Sequence, residues 1–243
     1  MSTPTSVSLP RLATHVRACR VGDQMIFLDL LRNRYFGVAG PQLAALSAVI
    51  GVSPAAGDTL DAVSSPAVRA WLRRLRNQDL LIDATAEIPA RRHHMVVEPT
   101  SSLNVDDTPP AAGADWRHLV RLWRSTLVAS TWLRRQSLND IANHVVTLRA
   151  RHSDSRGCTS SDGILEAVAT YERLRPFALT SHDRCLNDSL TLVHFLALQG
   201  LFPKWVIGVR VHPFGAHSWV QSGNVVLNDL AERVRHYQPI LVV

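Results

Sequence analysis

The sequence predicts an α+β chain of two domains: a small strand-and-helix module, then a larger domain in which helices lead into an antiparallel sheet. Three observations predict it. Short β-branched and aromatic runs crowd residues 15–38, ahead of helix-period stripes. A stretch collecting Pro, Ser, Thr, Asp and Ala, without a sustained period, separates the halves as a linker over 85–114. Beyond it, amphipathic helical patterns give way after Pro203 to strand-like text. The expected boundaries are 1–84, 85–114 and 115–243.

Composition narrows the class. At 243 residues, 46% apolar and 19% charged, the chain is globular and long enough to bury a proper core. Its three cysteines (19, 158, 185) suggest no bridge framework, so a reducing compartment with free thiols is expected. The opening MSTPTSVSLPRLATHVRACR lacks a signal peptide's apolar run. No stretch approaches the ~18 uninterrupted apolar residues of a membrane span, which makes a cytoplasmic location the expectation. The net charge of +6 comes from 26 Lys+Arg, with Lys204 the only lysine. The arginines spread over helical faces (Arg73, Arg74, Arg76, then Arg117, Arg121, Arg124) without aromatic interleaving or a reader motif. They read as solvated faces, and no nucleic-acid partner is expected. The same surface would serve an acidic peptide.

In the first module, His15–Val21 and Gln24–Asp29 are strand-like runs around Gly22-Asp23, Leu30–Asn33 turns the chain, and RYFGV at 34–38 makes a third strand. Pro41 opens an apolar helix ending at Gly51, and a short helix is expected from Asp58. Pro66–Leu80 forms a further helix, its inner stripe set by Val68, Leu72 and Leu75. Three strands followed by helices within about eighty residues describe a small winged-helix-like module.

After the linker, a helix over 115–134 places Trp116, Leu119, Val120, Trp123 and Leu127 on one stripe. A helix over 138–152 does the same with Ile141, Ala142, Val145 and Leu148, and another over 164–175 stops at Pro176. Cys158 falls in the polar loop between them. Cys185 stands in the first turn of a helix running to Gln199, with Gly200 past its end and Leu186, Leu190, Val193 and Ala197 on its buried face. A thiol at a helix N-terminus feels the positive end of the dipole and is favoured as thiolate. His182 and Arg184 would add positive potential. Cys19 and Cys158 have no assigned role.

His217 and Asp229 follow Cys185 on strands expected at 216–221 and 225–229, beside one at 206–211. With Ser222-Gly223-Asn224 as a three-residue loop, Gln221 pairs with Val225. Counting back then puts His217 opposite Asp229, Cβ atoms ~5 Å apart. A two-residue loop would send the two side chains to opposite faces, so this alignment needs the longer turn. Asp229 would accept from one imidazole nitrogen, leaving the other to take the Cys185 proton. Trp219 shares the His217 face and would shield that bond. Thiol, base and orienter together support a thiol acyl-transfer enzyme without metal or cofactor. Two other readings stay open on the residues alone: a non-catalytic scaffold, and a metal site of Cys185, His182 and His217, whose spacing suits no standard zinc pattern.

Two resemblances sharpen this reading. LDLLRNRYFGV, the helix right after it, and WLRRLRNQDLL resemble the leader-recognition domains of ribosomal-peptide maturation systems, built like the pyrroloquinoline-quinone chaperone. That resemblance implies that an extended leader peptide adds as a strand beside the third strand and packs against the last helix. Tyr35, Phe36, Val38, Arg69, Leu72, Arg73 and Arg76 lie on those elements. CLNDSLTLVHFLALQG, VIGVRVHPFGAHSWV and VVLND resemble the B proteins of lasso-peptide biosynthesis, which are transglutaminase-like cysteine peptidases with a papain-like order of groups. The family's motifs match at Cys185–Leu190, Gly208–Arg210, Ala216–Val220 and Asp229. By this resemblance Cys185, His217 and Asp229 are the catalytic residues, and the fused N-terminal module marks the two-domain form. The implied partners are a lasso precursor peptide, held by its leader, and a separate ATP-dependent cyclase. Asn187-Asp188 departs from the pattern, where Pro or Arg is common. An extra carboxylate there favours the helix but would oppose thiolate formation next door.

Overall fold

The computed structural model describes residues 10–40, 43, 66–83, 96–103, 115–153, 161–178 and 185–243. The chain divides into two compact units, 1–92 and 93–243.

In the first unit, β2 (Val16–Val21), β3 (Gln24–Asp29) and β4 (Arg34–Ala39) form an antiparallel meander in that order. The β2–β3 turn is the tight Gly22-Asp23 pair, with Gly22 at φ +60° where only glycine is unstrained. Asp29 organises the next turn: its buried carboxylate accepts from the Leu31 and Arg32 amides (3.0 and 3.2 Å) and from the Arg32 guanidinium (3.1 Å). This is an Asx turn reinforced by a charge. Helix α1 (Pro66–Asn77) follows, and a ribbon that sequence periodicity did not reveal pairs β1 (Pro10–Leu12) with β5 (Leu81–Asp83). The unit's core gathers Val16, Met25, Phe27, Val38, Leu75, Leu80 and Leu81, with Phe36 stacked on Phe27 at 4.9 Å between centroids. The helices expected from Pro41 and from Asp58 lie outside the described residues, apart from Leu43.

The second unit is helices on a mixed sheet, the α+β class expected. Its helices are α2 (Trp116–Arg135), α3 (Leu138–Ser153), α4 (Ser161–Leu174) with a 3-10 turn at Arg175–Phe177, α5 (Cys185–Ala197) and the short α6 (Ala231–Val234). Ser137 starts α3 with a capping pair: its hydroxyl accepts from the Asp140 amide, and Asp140 accepts back from Ser137. Pro176 ends the regular part of α4 as expected. The five-stranded sheet has the order β10 (Gln238–Val242), β7 (Lys204–Arg210), β8 (Gly215–Ser222), β9 (Val225–Val226), β6 (Ser101–Ser102). Only the β6–β9 pair is parallel.

Helix α5 is the centre of this unit. Every residue from Asn187 to Ala197 is buried, so the helix has no solvent face, and the single buried stripe expected for it is too narrow. It packs against α2, α3, α4, β7 and β8. Helix α2 departs further from expectation. Trp116, Val120, Trp123 and Leu127 lie on its exposed side, and the buried side is Leu122, Ser125 and Ala129. Small residues face α5 because they let the two backbones approach, and Ser125 Oγ lies 2.9 Å from His194 Nδ1. Counting large apolar residues therefore selected the opposite side of the helix.

Within the stretch expected as a linker, residues 96–103 are built into the second unit. Besides the β6–β9 pairing, the Val97 carbonyl accepts from the Gln221 side-chain Nε2 (2.7 Å) and the Pro99 carbonyl from the Arg235 guanidinium (2.7 Å). A two-residue parallel strand carries no periodicity by which a sequence could reveal it.

Candidate active site

Three segments converge on Cys185. It begins α5, buried from Asn187 onward, whose packing against β8 sets where the first turn lies. The dock is specific: the Ser218 amide hydrogen-bonds Cys185, while the Ser218 carbonyl accepts from Ser189 Oγ at 2.9 Å. Residues one helical turn apart on α5 thus grip both backbone groups of the residue that follows His217.

His217 lies on β8 opposite Gly208 of β7. A Cβ at Gly208 would stand 2.8 Å from the Trp219 ring and 2.9 Å from Tyr237 Cβ, so the glycine makes room for both aromatics. The His217 ring stacks near Trp219 (6.3 Å, 20°), its neighbour on the same face of β8. It also rests against Tyr237 (5.1 Å), which carries Arg210 over its outer face (5.2 Å). Tyr237 sits in the turn after α6 and has no local signal in the sequence; only the return of β10 beside β7 brings it here.

His217 Nε2 lies 2.5 Å from Asp229 Oδ2. With that nitrogen committed, the hydrogen bond between His217 and the Cys185 side chain falls to Nδ1. Asp229 Oδ1 accepts from the Leu230 amide (2.7 Å) and pairs with Arg233 (3.2 Å). The route to this contact differs from the one expected. The hairpin loop is two residues, Gly223-Asn224, with Gln221 opposite Val226 and Gly223 at φ +57°. A continuous strand in this register would carry His217 and Asp229 to opposite faces. They meet because β9 stops at Val226 rather than running to Asp229. The Leu227 amide still donates to the Val220 carbonyl (2.9 Å), but the Val220 amide is taken by Asn228 Oδ1 (2.8 Å) in place of a ladder carbonyl. The backbone leaves the sheet there, and Asp229 turns back toward the imidazole.

The electrostatics follow from this chain of bonds. Burial opposes the charged form of all three groups, and the hydrogen bonds overcome it. Cys185 is lowered from the usual thiol value by His217 and by the amides of Ser218 and Leu186. His217 is pushed up to about 9 by its bonds to Asp229 and Cys185. Asp229 is held low by His217, the Leu230 amide and Arg233. The arrangement can hold a thiolate–imidazolium pair and move one proton between sulfur and nitrogen.

The remaining expected groups are distributed as follows. Val38 is buried in the first unit's core and Phe36 stacks there; Tyr35 and Leu72 are half-buried, and Arg69, Arg73 and Arg76 are exposed on α1. Within its three-stranded sheet, β4 is an edge strand. Cys19 is free, and burial raises its thiol to about 12. Cys158, His182 and Arg184 lie outside the described residues. Among the described residues, no three His, Cys, Asp or Glu side chains gather as metal ligands would, and no helix is long and apolar enough to cross a membrane.

Residues 122–242 match the family described as the transglutaminase-like superfamily. A stretch of 45 residues is 44% identical to the microcin J25-processing protein McjB of Escherichia coli, covering 18% of this chain. The match spans only 22% of that protein's length. No solved structure matches the chain. Helix α5, strand β8 and the turn bearing Asp229 all fall within the matched residues, and the second unit of this chain carries a transglutaminase-like domain.

Proposed function

We propose that this protein is a leader peptidase of lasso-peptide maturation, its first unit holding a precursor's leader and its second cutting the leader–core bond. The observation that carries this reading is the hydrogen-bonded series Cys185–His217–Asp229. The likeness to a microcin-processing protein supports a peptide precursor as substrate.

Cys185 thiolate attacks the carbonyl at the leader's C-terminal end. The carbonyl oxygen takes the electron pair, and the backbone N–H at the start of α5 is its natural donor. The C–N bond then breaks as the His217 imidazolium gives its proton to the departing core amine, leaving an acyl-thioester on Cys185. Neutral His217 next removes a proton from water, which attacks the thioester; leader acid departs and the thiolate–imidazolium pair is restored. Asp229 keeps the imidazole oriented and its charged form stable throughout. The freed core amine passes to a separate ATP-dependent cyclase. On the first unit, the leader adds along β4 by backbone pairing, with Tyr35, Phe36 and Leu72 beside it and Arg69, Arg73 and Arg76 meeting acidic side chains. Val38 contributes backbone alone, since its side chain is committed to the core.

A second reading keeps the same acyl-thioester but gives it to an amine, which the transglutaminase-like match favours. One experiment addresses both: mass spectrometry of a cognate precursor incubated with wild type and Cys185→Ala, cyclase present and absent. Free leader acid from wild type alone is the expected result. An amide-linked adduct instead would make the protein an acyltransferase, and equal processing by both forms would leave it a precursor-binding scaffold.

A further inference from the structure

Asp188, whose carboxylate stands three residues from the thiol, is not a loose charge beside it. It is buried, and each of its oxygens is occupied. Oδ1 accepts from the Tyr171 hydroxyl (2.8 Å) and from Arg175 Nε (3.1 Å). Oδ2 accepts from Asn228 Nδ2 (3.0 Å). Among the described residues, the charged groups facing it are Arg175 from the 3-10 turn and Glu172 from α4, themselves paired at 3.3 Å. Asn228 in turn donates to Ser189 Oγ (3.2 Å) and accepts from the Val220 amide (2.8 Å). One side chain thus joins α5, β8 and the turn that bears Asp229.

We propose that Asp188 and Asn228 are positioning residues: their hydrogen bond locks the nucleophile helix to the residue preceding Asp229 and so keeps Cys185 in register with the His217–Asp229 pair. This rests on the acyl-transfer reading of the site. The orientation of the Asn228 amide is not free. Its oxygen must face the Val220 N–H, so its NH2 must face Asp188, and only an acceptor at position 188 satisfies it. Asp188→Asn has one acceptor oxygen for two sets of donors: turned to Arg175 and Tyr171 it sets NH2 against NH2 at Asn228, turned to Asn228 it sets NH2 against the Arg175 Nε–H, and a flip of Asn228 moves the conflict to Val220. Asn228→Asp in the same background relieves it, because a carboxylate accepts from both sides.

The two possible roles of Asp188 have opposite signs. If its charge mattered only as a field beside the thiol, Asp188→Asn would favour the thiolate and lower the pH midpoint of Cys185 reactivity. A clamp predicts the reverse: loosened register weakens the His217 bond and raises the midpoint by about one unit, the scale of a lost hydrogen bond to the charged form. The test is the pH dependence of Cys185 alkylation by iodoacetamide in the full chain, read on the peptide containing that residue, with circular dichroism melts as a check on folding. Asp188→Asn should raise the midpoint, Asp188→Asn/Asn228→Asp should return it toward wild type, and charge-neutral Asn228→Ala should raise it as well. Should Asp188→Asn not fold, Asn228→Ala decides, since it leaves the Arg175 and Tyr171 bonds of Asp188 in place. A depressed wild-type midpoint that these variants leave unmoved, or that Asp188→Asn lowers, overturns the clamp alone. A wild-type midpoint in the ordinary thiol range overturns the acyl-transfer reading, and the clamp with it.

Discussion

At Cys185 and His217 the decisive quantity is which group holds the proton. The thiol is lowered and the imidazole raised to about 9, so the reactive ion pair occupies the interval between them. Below that interval the thiolate is protonated and attack stops; above about pH 9 the imidazole is neutral and the leaving amine lacks its proton. Leader release should therefore follow a bell, its alkaline limb near 9. In Asp229→Ala that limb should move down toward 6.5, the ordinary histidine value, because the largest support of the imidazolium is gone. A limb that stays put would show that Asp229 does not act on the imidazole. Gly208 makes a second prediction at this scale. A methyl there meets Trp219 and Tyr237 inside 3 Å. Gly208→Ala should cost about 1–3 kcal/mol, as overpacking does, and lower activity by disturbing the aromatics that hold the His217 ring. Thermal melts and leader-release rates would check both parts.

Among the elements, α2 separates burial from hydrophobicity. Trp116, Val120, Trp123 and Leu127 face outward, Leu122, Ser125 and Ala129 are buried, and Ser125 and Trp132 meet His194 of α5. Trp116→Ser together with Trp123→Ser should shift stability by no more than about 1 kcal/mol, the range of surface substitutions at two sites. Leu122→Ala should cost about 2–5 kcal/mol, because α5 is packed against that side. Reversed magnitudes in urea denaturation would mean that the packed side of α2 has been misassigned. The hairpin teaches a related point. Register arithmetic rests on a strand that continues, and the Asn228 side chain ends this one by taking the Val220 amide.

For the molecule as a whole, the chain divides into two compact units, and the proposed function gives recognition to the first and chemistry to the second. Replacing Arg69, Arg73 and Arg76 with Glu should weaken leader binding about tenfold, since exposed charge contacts are each worth under about 1 kcal/mol. The same triple variant should leave Cys185 alkylation unchanged. Fluorescence titration with a labelled leader peptide and the alkylation assay together test the division. Equal affinity in the variant would remove these arginines from the leader surface.

The sequence by itself determined the class, the meander of the first unit and the helix that begins at Cys185, and it singled out Cys185, His217 and Asp229 as candidates. Those features rest on local signals: a Gly-Asp turn, an Asp that caps its own turn, a proline or glycine that ends a helix, and reactive residue types near element starts. Only the tertiary structure decided how the set meets. Whether α5 is buried on one side or all round depends on what packs against it, and so does the outward turn of Trp116 and Trp123. The two-residue loop would have parted His217 from Asp229 had β9 continued. Asn228, Tyr237 and Ser218 come to the site, and residues 96–103 to the sheet, through contacts between residues far apart in the chain, and non-local pairings leave no period in the sequence to read. The carboxylate of Asp188, which the sequence alone sets against the thiol, is bound up by Tyr171, Arg175 and Asn228, because folding brings three separate segments to it.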